Sequence, residues 1–191
     1  MNRTRVCAHN NAAWCDYVCR SQGIRTRFTP GFWTALSPAP EFYPNMVTLA
    51  PRPIGAAQRV EGSVKDSFAC LELRAAGFEV LFEATWLWRG DPEPAPGDDE
   101  DVHEFSAGSA RLMANLGAGV VGLTNLVGTR DPQVIDGLCA GPAERWPGLP
   151  LVTYAYGEER DGWRAAGFEP VGELRVWVPA VPAGVRRPGA G

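Results

Sequence analysis

The 191-residue chain contains no run of eighteen apolar residues, so no membrane-spanning helix is expected. Its first residues, MNRTRVCAHNN, lack the apolar centre of a signal peptide. Histidine occurs only twice, so a zinc site would have to draw on carboxylates or scattered thiols, and no metal is expected. The five cysteines are odd in number and form no Cys-x-x-Cys pair, which points to a reducing cytoplasm and not to a disulfide framework. Lysine occurs once, at Lys65, and every other basic residue is an arginine.

What is present fits a folded domain. Hydrophobic residues make up 45% of the chain and seven are tryptophan, enough to bury a core. The formal charge of −4 is unevenly spread. Gly90–Glu104, GDPEPAPGDDEDVHE, holds seven of the 22 acidic residues and no arginine or lysine. The rest sets 18 basic residues against 15 acidic ones, so the body is mildly basic without a basic patch.

Hydrophobic periodicity and breakers outline the elements. Asn10-Asn11 followed by AAWCDYVCRSQG reads as a capped helix ended by Gly23, with Trp14, Cys15, Val18 and Cys19 on its apolar side. Prolines then limit the chain to short extended pieces, Phe28–Leu36 and Met46–Leu49. RAAGFE occurs twice, at Arg74–Glu79 and Arg164–Glu169. The first copy reads as a hairpin connection between strands Phe68–Leu73 and Glu79–Trp88, and the second as the end of a short helix. The repeat is therefore a shared turn solution, with no duplicated domain. A flexible loop, Gly90–His103, joins two halves. After it come strands in SAGSARLMANL and VVGLTNLVG around Gly117-Ala118-Gly119. A helix follows from Asp131-Pro132 to Gly141-Pro142, then strand Leu149–Tyr156, helix GEERDGWRAAG and strand EPVGELRVWV. The expected division is 1–89, a linker 90–103, 104–180 and a loose tail 181–191. Gly117-Ala-Gly119-Val-Val-Gly122 matches a dinucleotide fingerprint in letters, but a β-branched strand follows it where a helix is required, so it reads as a turn.

The order ARLMANL, VVGLTNL, DPQVIDGLCA, LPLVTYAY, GEERDGWRAAGF, EPVGELRVWV resembles the core of the GNAT superfamily of N-acetyltransferases, most closely at Trp163-Arg-Ala-Ala-Gly-Phe168. NNAAWCDYVCRSQG, EFYPNMVTL and VKDSFACLEL make the N-terminal half similar to divergent actinobacterial members. The resemblance implies an α/β fold with a mixed, mostly antiparallel central sheet, flanking helices and two splayed parallel strands, here Val120–Leu126 and Leu151–Tyr156. It also implies a donor-phosphate loop at VGTRDPQVIDG, where Gly128 and Arg130 could meet a phosphate. Two departures stand out. Asp131 caps the helix where the anion should sit, and Pro132 removes an N–H donor. The tyrosine that serves as acid towards the leaving thiolate is replaced by Trp163, leaving Tyr154 or Tyr156 to take that role.

Other candidate site residues come from the residues themselves. Asn125 is polar in mid-strand, either holding a ligand or satisfied structurally, and Thr124 faces the other side if the strand is regular. Asp66 and Glu83 lie beside apolar runs, as a general base or as a turn cap and a solvated side chain respectively. The expected activity is acyl transfer to a small-molecule amine in specialised metabolism. The donor is expected to be an aminoacyl-tRNA or a carrier-bound acyl group and not ordinary acetyl-coenzyme A. The alternatives are a degenerate binding module or partner subunit of a homologous protein, and a conventional acetyl-coenzyme A enzyme. The near-neutral body gives tRNA binding little electrostatic support.

Overall fold

A computed structural model describes residues 2–51, 54–57, 60–90, 101–128 and 131–180. Among the described residues ten strands form one sheet: β1 (Thr26–Phe28), β2 (Phe32–Ala35), β3 (Met46–Thr48), β4 (Val64–Asp66), β5 (Phe78–Arg89), β6 (Asp101–Ala107), β7 (Ala110–Gly117), β8 (Val120–Val127), β9 (Leu151–Ala155) and β10 (Glu169–Pro179). Their spatial order is β1-β2-β3-β4-β10-β5-β9-β8-β7-β6. Only β3–β4 and β8–β9 pair in parallel, so the fold is mixed α/β with a mostly antiparallel, open sheet. Because β10 lies between β4 and β5, residues from both sides of the acidic segment share this sheet.

Helices cover both faces. On one lies α1 (Arg3–Ser21), on the other α3 (Pro132–Arg145) and α4 (Glu159–Ala165); α2 (Ile54–Ala57) is a single turn. Strand alternation divides the core accordingly. Trp86, Trp88, Val120 and Val152 pack with Val6 and Cys7 of α1, while Leu87, Val121 and Leu151 pack with Ile135, Leu138 and Trp163.

Four local expectations are corrected. The N-cap of α1 is Asn2, whose side chain accepts from the Arg5 N–H, so the helix starts well before Asn10-Asn11. Those two asparagines are buried mid-helix and spend their amides on tertiary partners. Phe68–Leu73 is no strand: the Asp66 carboxylate accepts the N–H groups of Leu71 at 2.7 Å and Phe68 at 3.3 Å, coiling the chain. Residues 101–103 belong to a strand, where Arg145 reaches Asp101 at 2.6 Å from the end of α3. Finally, α3 runs through Gly141-Pro142 to Arg145, with Pro142 buried.

The two RAAGFE copies share one geometry. A single 3-10 turn, Arg74–Ala76, opens the first, and α4 ends in the second. In each, the glycine (Gly77 at φ +82°, Gly167 at φ +87°) donates to the arginine carbonyl three residues back. The phenylalanine N–H bonds the carbonyl five residues back, on Leu73 or Trp163. This is a Schellman stop, completed at the second copy by the Phe168 ring lying edge-on to Trp163 at 5.0 Å. The first copy thus ends a helical turn and joins no two strands.

Candidate functional site

Strands β8 and β9 hold together only at their N-terminal ends. The described ladder pairs Val121 with Leu151 and Gly122 with Val152, and pairs none of Leu123–Val127 with Thr153–Ala155. The outer edges stay paired, β8 to β7 and β9 to β5, so the parting opens a slot inside a continuous sheet. An irregularity on β8 helps. Arg111 faces Val127 but Met113 faces Thr124, so β8 carries an extra residue there, and Asn125 sits at φ +54°. Asparagine tolerates this conformation better than most residues.

The slot holds about 300 Å³ and is lined by Thr124, Asn125, Thr153, Tyr154, Glu159 and Trp163, among others. Thr124 is expected to face away from Asn125 only in a regular strand; the bulge breaks the alternation, and both line the slot. The Thr124 hydroxyl donates to Asn125 Oδ1 at 3.3 Å, and Asn125 Nδ2 donates to the Tyr43 hydroxyl, also at 3.3 Å. Tyr43 belongs to a second cavity, a groove of about 430 Å³ with a mainly apolar wall that includes Phe42, Leu81, Phe82 and Val176. Tyr154 and Tyr156 border both cavities.

Tyr154 stands at the junction. Trp86 meets its ring edge-on at 5.5 Å, and the Lys65 ammonium lies 4.1 Å from the ring centroid. Among the described residues nothing hydrogen-bonds its hydroxyl. Tyr156, further out and half-exposed, stacks on Phe82 at 4.8 Å.

The remaining candidates lie elsewhere. Asp66 is fully buried, and both its oxygens accept the N–H groups of its own turn. Burial pushes its carboxyl above the ordinary range, against the pull of those N–H groups and of Arg175. Glu83 is exposed and takes the Arg175 guanidinium at 2.7 and 2.8 Å across the β5–β10 ladder. Gly128, at φ +104°, ends β8 against Ala110. Arg130 lies outside the described residues. Asp131 caps α3, accepting the Gln133 N–H at 2.8 Å, and Pro132 fills the first helical position. Trp163 is buried at the slot wall.

The thiols offer no nucleophile at the site. Burial pushes Cys7 and Cys15 up to about 12 and Cys139 up to about 11, and all five cysteines are free. Among the described residues, no group of three or more His, Cys, Asp or Glu is placed to hold a metal ion. No helix among them is long and apolar enough to cross a membrane.

Sequence reasoning missed Lys65, Asn11 and Tyr43 as site residues. The only available signal was that Lys65 has no other lysine for company. No family model matches the sequence, and no curated protein matches it.

Proposed function

We propose that this chain is an amine acyltransferase of GNAT type whose donor is an acyl thioester on the phosphopantetheine arm of a carrier protein. The parting of β8 and β9 carries the reading. Past Gly122 and Val152 the facing edges of the two strands lose each other as ladder partners. Backbone N–H and C=O groups deprived of a ladder seek another partner, and an extended arm bearing amides can hydrogen-bond to them as a strand would. A phosphopantetheine arm is narrow and carries two amides. The order β7, β8, α3, β9, α4, β10 supports the GNAT assignment.

The choice of carrier rests on the start of α3. A helix N-terminus attracts anions. Here the Asp131 carboxylate already takes that place and Pro132 withholds a donor, so the diphosphate of free coenzyme A gains little. A carrier-bound arm brings none.

With the thioester at the junction, an amine in the groove attacks the carbonyl carbon and its surplus proton passes to solvent at the open rim. The C–S bond breaks, and the Tyr154 hydroxyl protonates the departing thiolate. Solvent returns a proton to the Tyr154 phenolate, and the products are an amide and a free thiol. A non-catalytic partner subunit is the second reading, favoured by the replacement of the expected tyrosine by Trp163.

Mass spectrometry of amide formation, run beside thermal melts, tests these readings. Acetyl-carrier protein should stabilise the chain and yield amide, while acetyl-coenzyme A should do so weakly. Equal stabilisation by acetyl-coenzyme A would restore the conventional donor. A response to charged tRNA alone would replace the carrier, and no response to any donor would favour the partner subunit.

A further inference from the structure

The only lysine in the chain is 4% exposed. Lys65 Nζ donates to Asn11 Oδ1 at 3.0 Å, and its charge lies over the Tyr154 ring. Both partners are neutral. Among the described residues no carboxylate pairs with it, since neighbouring Asp66 is turned into its own loop. A buried ammonium without a counter-charge loses hydration that an amide and a ring face only partly replace. An ammonium has three N–H donors, and these two partners leave one to face the groove that Lys65 lines.

The groove supplies the other half of the argument. Phe42, Leu81, Phe82, Tyr156 and Val176 give it apolar and aromatic walls, and among the described residues Lys65 is the only charged side chain lining it. A cavity of this kind fits a ligand with an apolar body and one compact negative group.

We propose that Lys65 is an anion anchor and that the groove binds an aromatic or aliphatic molecule through its carboxylate. This rests on reading the groove as the acceptor side of an acyltransferase, but the binding itself needs no donor. On that reading the acceptor is an amine that also carries a carboxylate, as an apolar amino acid does. Asn11, on α1, positions the ammonium.

Because Lys65 stands alone, lysine labelled with carbon-13 at the ε position gives a single side-chain resonance in the tag-free protein. Titration with 3-phenylpropionate and L-phenylalanine should move that resonance. Their amide counterparts, 3-phenylpropanamide and L-phenylalaninamide, which lack the carboxylate, should bind about tenfold or more weakly, as expected for loss of a charged hydrogen bond. Lys65→Met keeps the stem and removes the charge, and should abolish the preference for the carboxylates. Tighter binding of phenylalanine than of phenylpropionate would place the carboxylate on the amine acceptor, and the reverse would place it on the acyl group. Equal affinity for carboxylates and amides in the unmodified protein would overturn the anchor, and that comparison stands even if the variant fails to fold. Acyl transfer without carboxylate preference would sink the anchor alone. Carboxylate binding without transfer would sink the enzymatic reading alone.

Discussion

Gly122→Ala tests how α1 supports the slot. Gly122 is the last β8 residue in register with β9, and the strands part immediately after it. A methyl group there would lie 1.9 Å from Asn10 Oδ1 and 2.6 Å from Asn115 Oδ1. The Asn10 amide cannot give way cheaply. Its Nδ2 is within hydrogen-bond reach of the carbonyls of Asn115 (3.3 Å), Gly117 (3.0 Å) and Val120 (3.2 Å), which clamps the β7–β8 turn to the helix. Overpacking costs about 1–3 kcal/mol, and stranding buried carbonyls adds about 1–3 kcal/mol. A combined loss of about 2–6 kcal/mol is a large share of the stability of an ordinary domain, about 5–15 kcal/mol. For a chain of this size it lowers Tm by roughly 4–24 °C. Urea denaturation and thermal melts read it directly. Asn10→Ala removes the clashing atom, so the double variant should lose less than the sum of the singles, by about 1–3 kcal/mol. A Gly122→Ala protein within about 0.5 kcal/mol of the parent, or strict additivity with Asn10→Ala, would refute the wedge.

Three further outcomes are expected. Tyr154→Phe should cut amide formation by about 10²-fold or more while leaving Tm close to the parent's, whereas comparable turnover in the variant would remove the acid from the mechanism. At mildly alkaline pH only Cys70, the one exposed thiol, should react promptly with a disulfide reagent, with the other four appearing in denaturant; fast labelling of Cys7 or Cys15 would contradict their burial. Burial raises the folded-state pKa of Asp66 above 3.8, so the folded chain holds that proton more tightly and stability is lost as pH rises through the raised value. The difference in urea midpoint between the parent and Asp66→Asn should therefore change over this interval, and a constant difference would rule it out.

How much of this was legible in the sequence depends on the range of the interaction. The β7–β8 hairpin, β9 and β10 were readable because alternation and glycine turns are local signals, and the RAAG stops were half-readable for the same reason. The start of α1 was misplaced because Asn10-Asn11 looks like a cap. Only the fold reveals that Asn10 clamps a distant turn and Asn11 holds Lys65. Strand β6 hid in an acidic run, where pairing with β7 and the Arg145–Asp101 contact outweigh poor propensity. Phe68–Leu73 has strand composition but is coiled by a single carboxylate. Around the slot, strands β8 and β9 were legible as apolar runs. The bulge that turns Thr124 and Asn125 into one cavity and the burial of Lys65 follow from cross-strand register, which no local pattern encodes.

The most direct test concerns the edges left unpaired between β8 and β9. Amide resonances of Leu123–Leu126 and Thr153–Ala155 should shift on titration with acetyl-phosphopantetheine and stay still with adenosine 3′-phosphate 5′-diphosphate, the nucleotide end of coenzyme A. Shifts confined to Gly128 and Gln133 with the diphosphate, and none in the slot with the arm, would contradict the account.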